Sequence, residues 1–597
     1  MDDALHSRSA DRDAIQLEIV KGALRSTQAE MEAVLGRTAM SAFIKEKKDF
    51  FVALFDPEGR LVLGSSLPAF GDVMKPVLDA FPVADMQPGD LYWYNDCYGS
   101  NGAVSHSPDQ VFVCPVFADG RLSAFAQSWA HFSDIGGMRP GSLSPDATDI
   151  FQEGIIIPPI RLVRAGEWNQ EALRIFIRNS RFPEQVQGDI RASVASIRLG
   201  ERRMIELFER FGREAVLAAI DQSIEETRVI VRRRLQKLFP PGSYRFTEIV
   251  DSDGHGNGPF RIRLRLEATE DRFVVDASET DDQAVGPINF IMNEDVPRMM
   301  FGMYALSDDP GVLINYGALQ ALDVVITRPG SLLQPAFPAP LGQRGITLIR
   351  VLTACLGLVN MATDGKGVAS SSVYVIYYLR GADPRNGERF LLTDGVAVGY
   401  GARPFADGID AVYLVANENY PAEFLDMEYP VRLRRYGIFR DSGGPGRYRG
   451  GTGVVRELEV LAEEAMLSNR IEGVDNPPWG VNGGLAGRHG RCVLNPDTPN
   501  ERVLPPLADG TIVRRGDVIR LETGGGGGWG HPYDREPELV RDDVLGGFIS
   551  NESARNDYGV VLTGDDFIID PAATEARRRQ RLPSKRFHRH DYRDELN

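Results

Sequence analysis

Two histidines, each with an aspartate three residues downstream, mark the ends of the stretch SHSPDQVFVCPVFADGRLSAFAQSWAHFSDIGG, residues 105–137. They are His106 with Asp109 and His131 with Asp134, in a chain of 597 residues that holds only 8 histidines. The apolar runs QVFVCPVF (110–117) and RLSAFAQSWA (121–130) read as two strands joined by Ala118-Asp119-Gly120, a loop whose glycine suits positive φ. Pairing 117 with 121 puts 109 opposite 129 and 107 opposite 131, to within a residue or two, so that His106, Asp109 and His131 converge. Two imidazoles and a carboxylate suit a catalytic divalent ion such as zinc, manganese or iron, with coordination positions left for water or substrate. On spacing alone a second reading stays open, in which both histidines are structural and bonded to loop carbonyls. Asp134 is an alternative ligand or an acceptor that fixes the His131 tautomer. Asp49, at the start of the apolar DFFVALF, either reaches the same site or caps a loop.

Other chemistries lack support. No GxSxG, HExxH or helix-opening GxGxxG occurs, so serine hydrolase, zincin and dinucleotide readings have no motif. Cys114 falls inside the proposed strand, and nothing around Cys97, in NDCYGSNG, marks a depressed thiol pKa. The glycine clusters DSGGPGRYRGGTG, GVNGGLAGRHG and TGGGGGWGHP lack the GxxxxGK[ST] form, which leaves turns and close backbone packing as their reading.

The elements that must position these residues are mixed. Residues 13–38 carry Ile15, Ile19, Leu24, Met31 and Leu35 at spacings that bury one helical face. DFFVALFDPEGRLVLGSS reads as two strands about a turn at Asp56-Pro57-Glu58-Gly59, and short strands dominate to about 135. Residues 184–238 read as long amphipathic helices ended by Pro240-Pro241-Gly242, and 243–290 alternate like antiparallel strands. The expected fold class is multidomain α+β: helical segments with mixed or antiparallel sheets and a glycine-rich, β-dominated C-terminal part. The expected divisions are an N-terminal α+β region with the hairpin (1–242), a central β-rich domain (243–435), a glycine-rich β region (436–575) and a basic, solvated or partner-docking tail (576–597).

Bulk composition narrows the function classes. Lys and Arg number 67 against 84 Asp and Glu, and the net charge of −17 argues against a nucleic-acid surface. Hydrophobic residues at 43% and charged residues at 25% are globular proportions, and no run of about 18 apolar residues is evident to span a bilayer. The acidic start MDDALHSRSADRDAIQLEIV has neither the basic nor the apolar region of a signal peptide, and four cysteines without a CxxC fit reduced thiols, so a cytoplasmic location is expected.

The chain resembles the hydantoinase B/oxoprolinase family. The resemblance is carried by IKEKKDFFVALFDPEGRLV, PGDLYWYNDCYGSNGAVSHSPDQVFVCPVF, AHFSDIGGMRPGS, RNSRFPEQVQGDIRAS, DASETDDQAVGPINF, DSGGPGRYRGGTGVVRE and TGGGGGWGHPYDREPELVRDDVLGGFIS, which run in family order from about residue 15 to 562. It implies metal ligands at Asp49, His106, Asp109 and His131, substrate-facing or supporting roles for Asn95 and Asp96, and a substrate-binding position for Cys97, which stands where the family has proline. Ser105 replaces a threonine, and AFGDVM (69–74) lacks the histidine of the family's His-Leu-Gly-Ser-Met.

What the resemblance implies is the metal-bearing subunit of an ATP-dependent cyclic amide hydrolase that opens hydantoin, 5-oxoproline or lactam rings. ATP and magnesium would lie on a hydantoinase A-type partner in a hetero-oligomer, in keeping with the missing phosphate loop. The divalent ion would lower the pKa of a coordinated water and polarise the amide carbonyl, with Asp96 or Asp134 as general base. Two alternatives accompany this reading: a subunit of an acetone or acetophenone carboxylase, where the ion steadies an enolate, and a scaffold subunit without catalysis.

Overall fold

In the computed structural model, residues 2–65, 71–309, 311–414, 417–581 and 583–589 are described, with side chains from residue 15 onward. Ala69 and Phe70 of AFGDVM, and residues 590–597 of the basic segment, lie outside them. The fold is α+β with mostly antiparallel sheets.

The chain opens with helix α1 (Asp2–Thr38) and a single turn α2 (Ala42–Lys45). Strands β1 (Phe50–Phe55), β2 (Leu61–Gly64), β3 (Leu91–Tyr94), β4 (Asp109–Ala118), β5 (Arg121–His131), β6 (Ile160–Arg164) and β7 (Glu167–Trp168) form one sheet in the order β2-β1-β5-β4-β3-β6-β7. Leu24, Met31 and Leu35 of α1 are buried as expected, but Ile15 and Ile19 are exposed and Leu17 and Val20 take their places inside. Leu17, Val20, Leu24, Thr27, Met31 and Leu35 follow one another at spacings of three and four and form a single buried stripe, from which Ile15 and Ile19 stand off.

The helix Pro183–Phe211 lies against both α1 and the β4–β5 pair, with Ile190, Ile197, Met204 and Phe208 buried. Each such fully buried side chain contributes about 1.5–3 kcal/mol. Gly212, at φ 82°, separates it from the next helix, Arg213–Leu238. Asp189 on the first helix accepts from the backbone N–H of Met40 at 2.7 Å and of Ser41 at 3.0 Å, which pins the start of α2.

The hairpin register differs from the sequence expectation. Asp109 pairs with His131, Gln110 with Ala130 and Val111 with Trp129, and a bulge between Val116 and Phe117 shifts the pairing near the turn. The turn is Asp119-Gly120, both left-handed at φ 52° and 71°, with Ala118 paired to Arg121. A tighter turn and one bulge move the strand ends by two positions and set Asp109 directly opposite His131.

A second sheet orders β8 (Gly242–Val250), β9 (Phe260–Ala268), β10 (Phe273–Asp276) and β11 (Val324–Ile326) as β11-β10-β9-β8, with only the β10–β11 pair parallel. The helix Gly345–Ala362 packs on β8 and β9. Against the expectation from composition, its 18 residues are long and apolar enough to cross a membrane, with mean hydropathy 1.7. Yet 72% of that window is buried inside the fold, and Arg350 at its middle is ion-paired to Glu472 at 3.2 Å and bonded to Asn476 O at 2.9 Å. Its low polarity is that of a core helix.

A third sheet contains β12 (Val375–Ala382), β13 (Arg389–Val396), 464–470 and 507–514, and a fourth, five-stranded sheet is built from 431–438, 454–460, 518–522, 491–494 and 502–503. Between them the glycine clusters meet backbone to backbone. Gly525, Gly526, Gly527 and Gly528 donate in turn to the carbonyls of Arg488, Gly451, Ser370 and Leu485 at 2.8–3.1 Å. A Cβ on each would stand 1.9 Å from Ser442 O, 2.2 Å from Tyr400, 2.0 Å from Trp479 O and 2.3 Å from Pro445 O. Near the end of the described residues, 587–588 pair with Gly480–Val481, and Arg589 is buried over the Phe246 ring at 4.6 Å.

Candidate metal centre

His106 lies in the loop before β4, Asp109 is the first residue of β4 and His131 the last of β5. The Asp109 N–H donates to His106 O at 3.1 Å and the Phe132 N–H to Pro108 O at 3.0 Å, so the loop is tied to both strand ends. The side chains converge. His106 Nε2 is 2.9 Å from Asp109 Oδ1, and His131 Nδ1 is 3.1 Å from His106 Nε2 and 3.3 Å from Asp109 Oδ1. All three residues are buried, at 3–5% exposure.

The electrostatics favour a cation among them. Burial, then the Arg344 guanidinium, lowers the His106 pKa to about 3, so the ring is neutral near pH 7. For Asp109 burial works the other way, but His106, His131 and Arg344 prevail and hold its carboxyl well below the usual range. Two imidazole nitrogens and an ionised carboxylate oxygen thus face one another within hydrogen-bonding distance, a donor set that zinc, manganese or iron satisfies. His106 Nδ1 is buried with no hydrogen-bond partner among the described residues, so the fold alone does not satisfy that ring. The residues fit a metal.

Asp49 comes close but is not one of the three tightly clustered groups. It sits just ahead of β1, where its carbonyl accepts the His131 N–H at 3.1 Å. Burial, opposed by His131 and reinforced by Asp109, raises its pKa to about 6. The neighbouring Lys47 is fully buried, 2.6 Å from Asp394 Oδ1 and over the Tyr420 ring at 4.4 Å, and Asp394 also holds Arg456 at 2.8 Å. This buried group anchors the 47–49 segment to β13.

The remaining sequence candidates frame the site without joining the cluster. Asn95 Nδ2 donates to Ser107 O at 2.7 Å and Ile155 O at 2.9 Å, and its Oδ1 accepts the Ile157 N–H. Asp96 Oδ1 accepts the Gly99 N–H at 2.8 Å, closing the turn that carries Cys97, whose buried thiol is pushed far up. Asp134 is taken up by Arg181, at 2.9 Å from both backbone N–H and Nη1, and by the Gly141 N–H at 3.0 Å. Three residues around the cluster had no local signal. Arg344 Nε donates to Ser105 Oγ at 2.7 Å across 239 positions of sequence. Phe43 of α2 packs on the His131 ring with centroids 4.8 Å apart and also lines a cleft of about 800 Å³ with Ser133, Arg181 and Arg389. Glu153, fully buried, accepts from the Leu341 and Gly342 N–H groups at 3.0 and 2.7 Å.

The hydantoinase B/oxoprolinase family model matches residues 13–532. The chain belongs to this family. It is 31% identical to the B component of a putative D-/L-hydantoinase of Pseudomonas sp. (strain NS671), over 96% of this chain and 99% of that one. It is 30% identical to the beta subunit of the caprolactamase of Pseudomonas jessenii, over 95% and 99%. The crystal structure of the ATP-dependent caprolactamase from Pseudomonas jessenii superposes with a TM-score of 0.85 at 28% identity, covering 95% of this chain and 99% of that chain. Nucleotide-free acetone carboxylase shares the fold, with a TM-score of 0.81 at 20% identity over 96% and 84%.

Proposed function

We propose that this family member is the metal-bearing subunit of an ATP-dependent cyclic amide hydrolase. The observation that carries the reading is the buried convergence of His106, Asp109 and His131 within 3.3 Å of one another. The relatives near 30% identity support ring opening over ketone carboxylation, since they are named for a hydantoinase and a caprolactamase, whereas the acetone carboxylase likeness extends to the fold.

His106, Asp109 and His131 would hold the ion, with Asp49 as the fourth ligand. When bound, a divalent ion there would supply Lewis-acid polarisation of a carbonyl and acidify a coordinated water. The chain's own residues do the rest. Neutral His106 and ionised Asp109 need lose no proton near pH 7 to act as ligands. Asp134, whose carboxylate is committed to Arg181, and Asp96, which closes a turn, are both held in other contacts. Burial of the cluster keeps bulk water from an activated substrate. An amide is a poor electrophile, so its phosphorylation on a hydantoinase A-type partner, in a hetero-oligomer, would supply the driving force.

The test is incubation of the chain, co-purified with such a partner, with ATP and magnesium and hydantoin, 5-oxoproline or caprolactam. ATP-dependent appearance of the opened ring is expected. Bicarbonate-dependent consumption of acetone or acetophenone without ring opening would replace this reading with the carboxylase.

A further inference from the structure

Arg344 is a buried cation with most of its hydrogen-bonding capacity unspent. It immediately precedes the helix Gly345–Ala362, with its N–H on Leu341 O at 2.8 Å and its carbonyl accepting the Leu348 N–H at 2.9 Å, and it is 8% exposed. Its Nε donates to Ser105 Oγ at 2.7 Å, and that hydroxyl lies 3.5 Å from Asp109 Oδ2. Ser105 therefore aims the guanidinium at the cluster. Beyond this bond the Arg344 side chain makes no hydrogen bond among the described residues, and Nη2 approaches Asp109 Oδ2 only to 3.7 Å, longer than a hydrogen bond.

A guanidinium has five N–H groups, so both Nη groups are left with donors to spare. Neither Nη is among the buried side-chain nitrogens sealed off without a partner, so these donors are open to solvent and to a ligand. Asp109 takes up little of this capacity: its Oδ1 is shared by His106 and His131, and its Oδ2, the oxygen facing Arg344, stays 3.7 Å from Nη2. Two nearby groups are equally unspent: the buried Tyr378 hydroxyl, within the electrostatic reach of Arg344, and Gln343 Oε1 on the adjoining residue. With a divalent ion bound, the ion and Arg344 together outweigh the negative charges of Asp109 and Asp49, and the centre as a whole favours an anion.

We propose that Arg344 is the anchor for an oxyanion of the substrate, a phosphoryl or carboxylate group presented beside the metal centre, with Ser105 as its positioning residue. This rests on the metal reading of His106, Asp109 and His131. The planar guanidinium fork suits two parallel N–H···O bonds to either group. The two sources share that chemistry: a phosphoryl group arriving on an ATP-activated substrate, or a carboxylate native to the substrate.

The test uses the full chain loaded with manganese and probed with inorganic phosphate and, separately, acetate, by calorimetry and by paramagnetic broadening of the phosphorus signal. Wild type is expected to bind one of the probes, and Arg344→Met to weaken it by about tenfold or more, as loss of hydrogen bonds from a charged donor does. Manganese content and thermal stability should stay near wild type. Arg344→Lys should recover part of the loss, and Ser105→Ala, which keeps the cation but frees its aim, should weaken binding by a smaller factor. Tighter phosphate identifies the phosphoryl source, and tighter acetate the carboxylate. Equal binding by wild type, Arg344→Met and Ser105→Ala, or binding of neither anion by manganese-loaded wild type, overturns the inference. A wild type that takes up no metal instead overturns the metal reading on which it rests, so the two failures are separate.

Discussion

Two regions of this chain are buried by opposite means. The hairpin with the candidate metal site brings polar side chains together at the ends of a long antiparallel ladder, and its ionisable groups are balanced against one another. The glycine region around 524–528 has almost no side chains to pack, and its backbones touch so closely that the amide groups themselves form the interior. Loss of a side chain from the first should cost its proposed chemistry more than its fold, while an added atom in the second would meet backbone at about 2 Å. Removal and addition are therefore the two ways to separate them.

The largest effect is expected from addition. In Gly399→Ala the new Cβ would stand 1.9 Å from Gly451 O, a backbone atom that cannot rotate away. Overpacking typically costs about 1–3 kcal/mol, and a clash with backbone belongs at or beyond the top of that range. Denaturant unfolding of Gly399→Ala should show it, with the metal content of the folded fraction unchanged. Stability equal to wild type would mean that the glycines are not selected by contact.

Next comes Lys47→Met, which strips Asp394 of one buried partner while Arg456 and Tyr377 remain. Breaking a buried pair costs about 3–5 kcal/mol, and the surviving partners place this variant at about 3 kcal/mol. If the segment 47–49 is anchored as described, metal affinity should fall along with stability, since Asp49 shares that anchor.

A smaller effect follows from Asp49 itself. Its pKa near 6 means that a proton competes with the ion below that value, so metal affinity should decline as pH falls through about 6. Asp49→Asn should remove that inflection, as read by chelator competition between about pH 5 and 8.

The smallest concerns Glu153, whose pKa burial raises to about 8 despite the Leu341 and Gly342 N–H groups. Because the folded value lies above the unfolded one, the stabilisation from protonated Glu153 is complete below about 4.5 and is lost as pH rises through about 8. Glu153→Gln should therefore change the melting temperature least at about pH 4.5 and raise it relative to wild type increasingly towards about pH 8, with the full difference at about pH 9.

Legibility followed locality. The helices after residue 183 and the paired strands of the hairpin carry their periodicity within a few residues, and the His-x-x-Asp spacing places two ligands in one loop and strand end. The register differs by two positions, one from the tighter turn and one from a bulge at Val116 and Phe117 that leaves no mark in an apolar run. Ile15 and Ile19 are exposed against expectation because they lie nine and five positions before Leu24, off the face that Leu17 and Val20 share with it at spacings of three and four. Arg344, far from Ser105 in sequence, enters the site only through packing of the Gly345–Ala362 helix, which no local pattern encodes. Asp134 is a twin of Asp109 in spacing, but Arg181 claims it.

The central claim is that His106, Asp109 and His131 hold a divalent ion. Its most direct test is metal content by mass spectrometry on the full chain co-purified with a hydantoinase A-type protein, beside the same preparation carrying His131→Ala. About one zinc, manganese or iron per chain is expected in the wild type, by analogy with mononuclear sites of this donor set, and loss of it in a still-folded variant. Equal metal content in the two proteins, or none in either, would contradict the account.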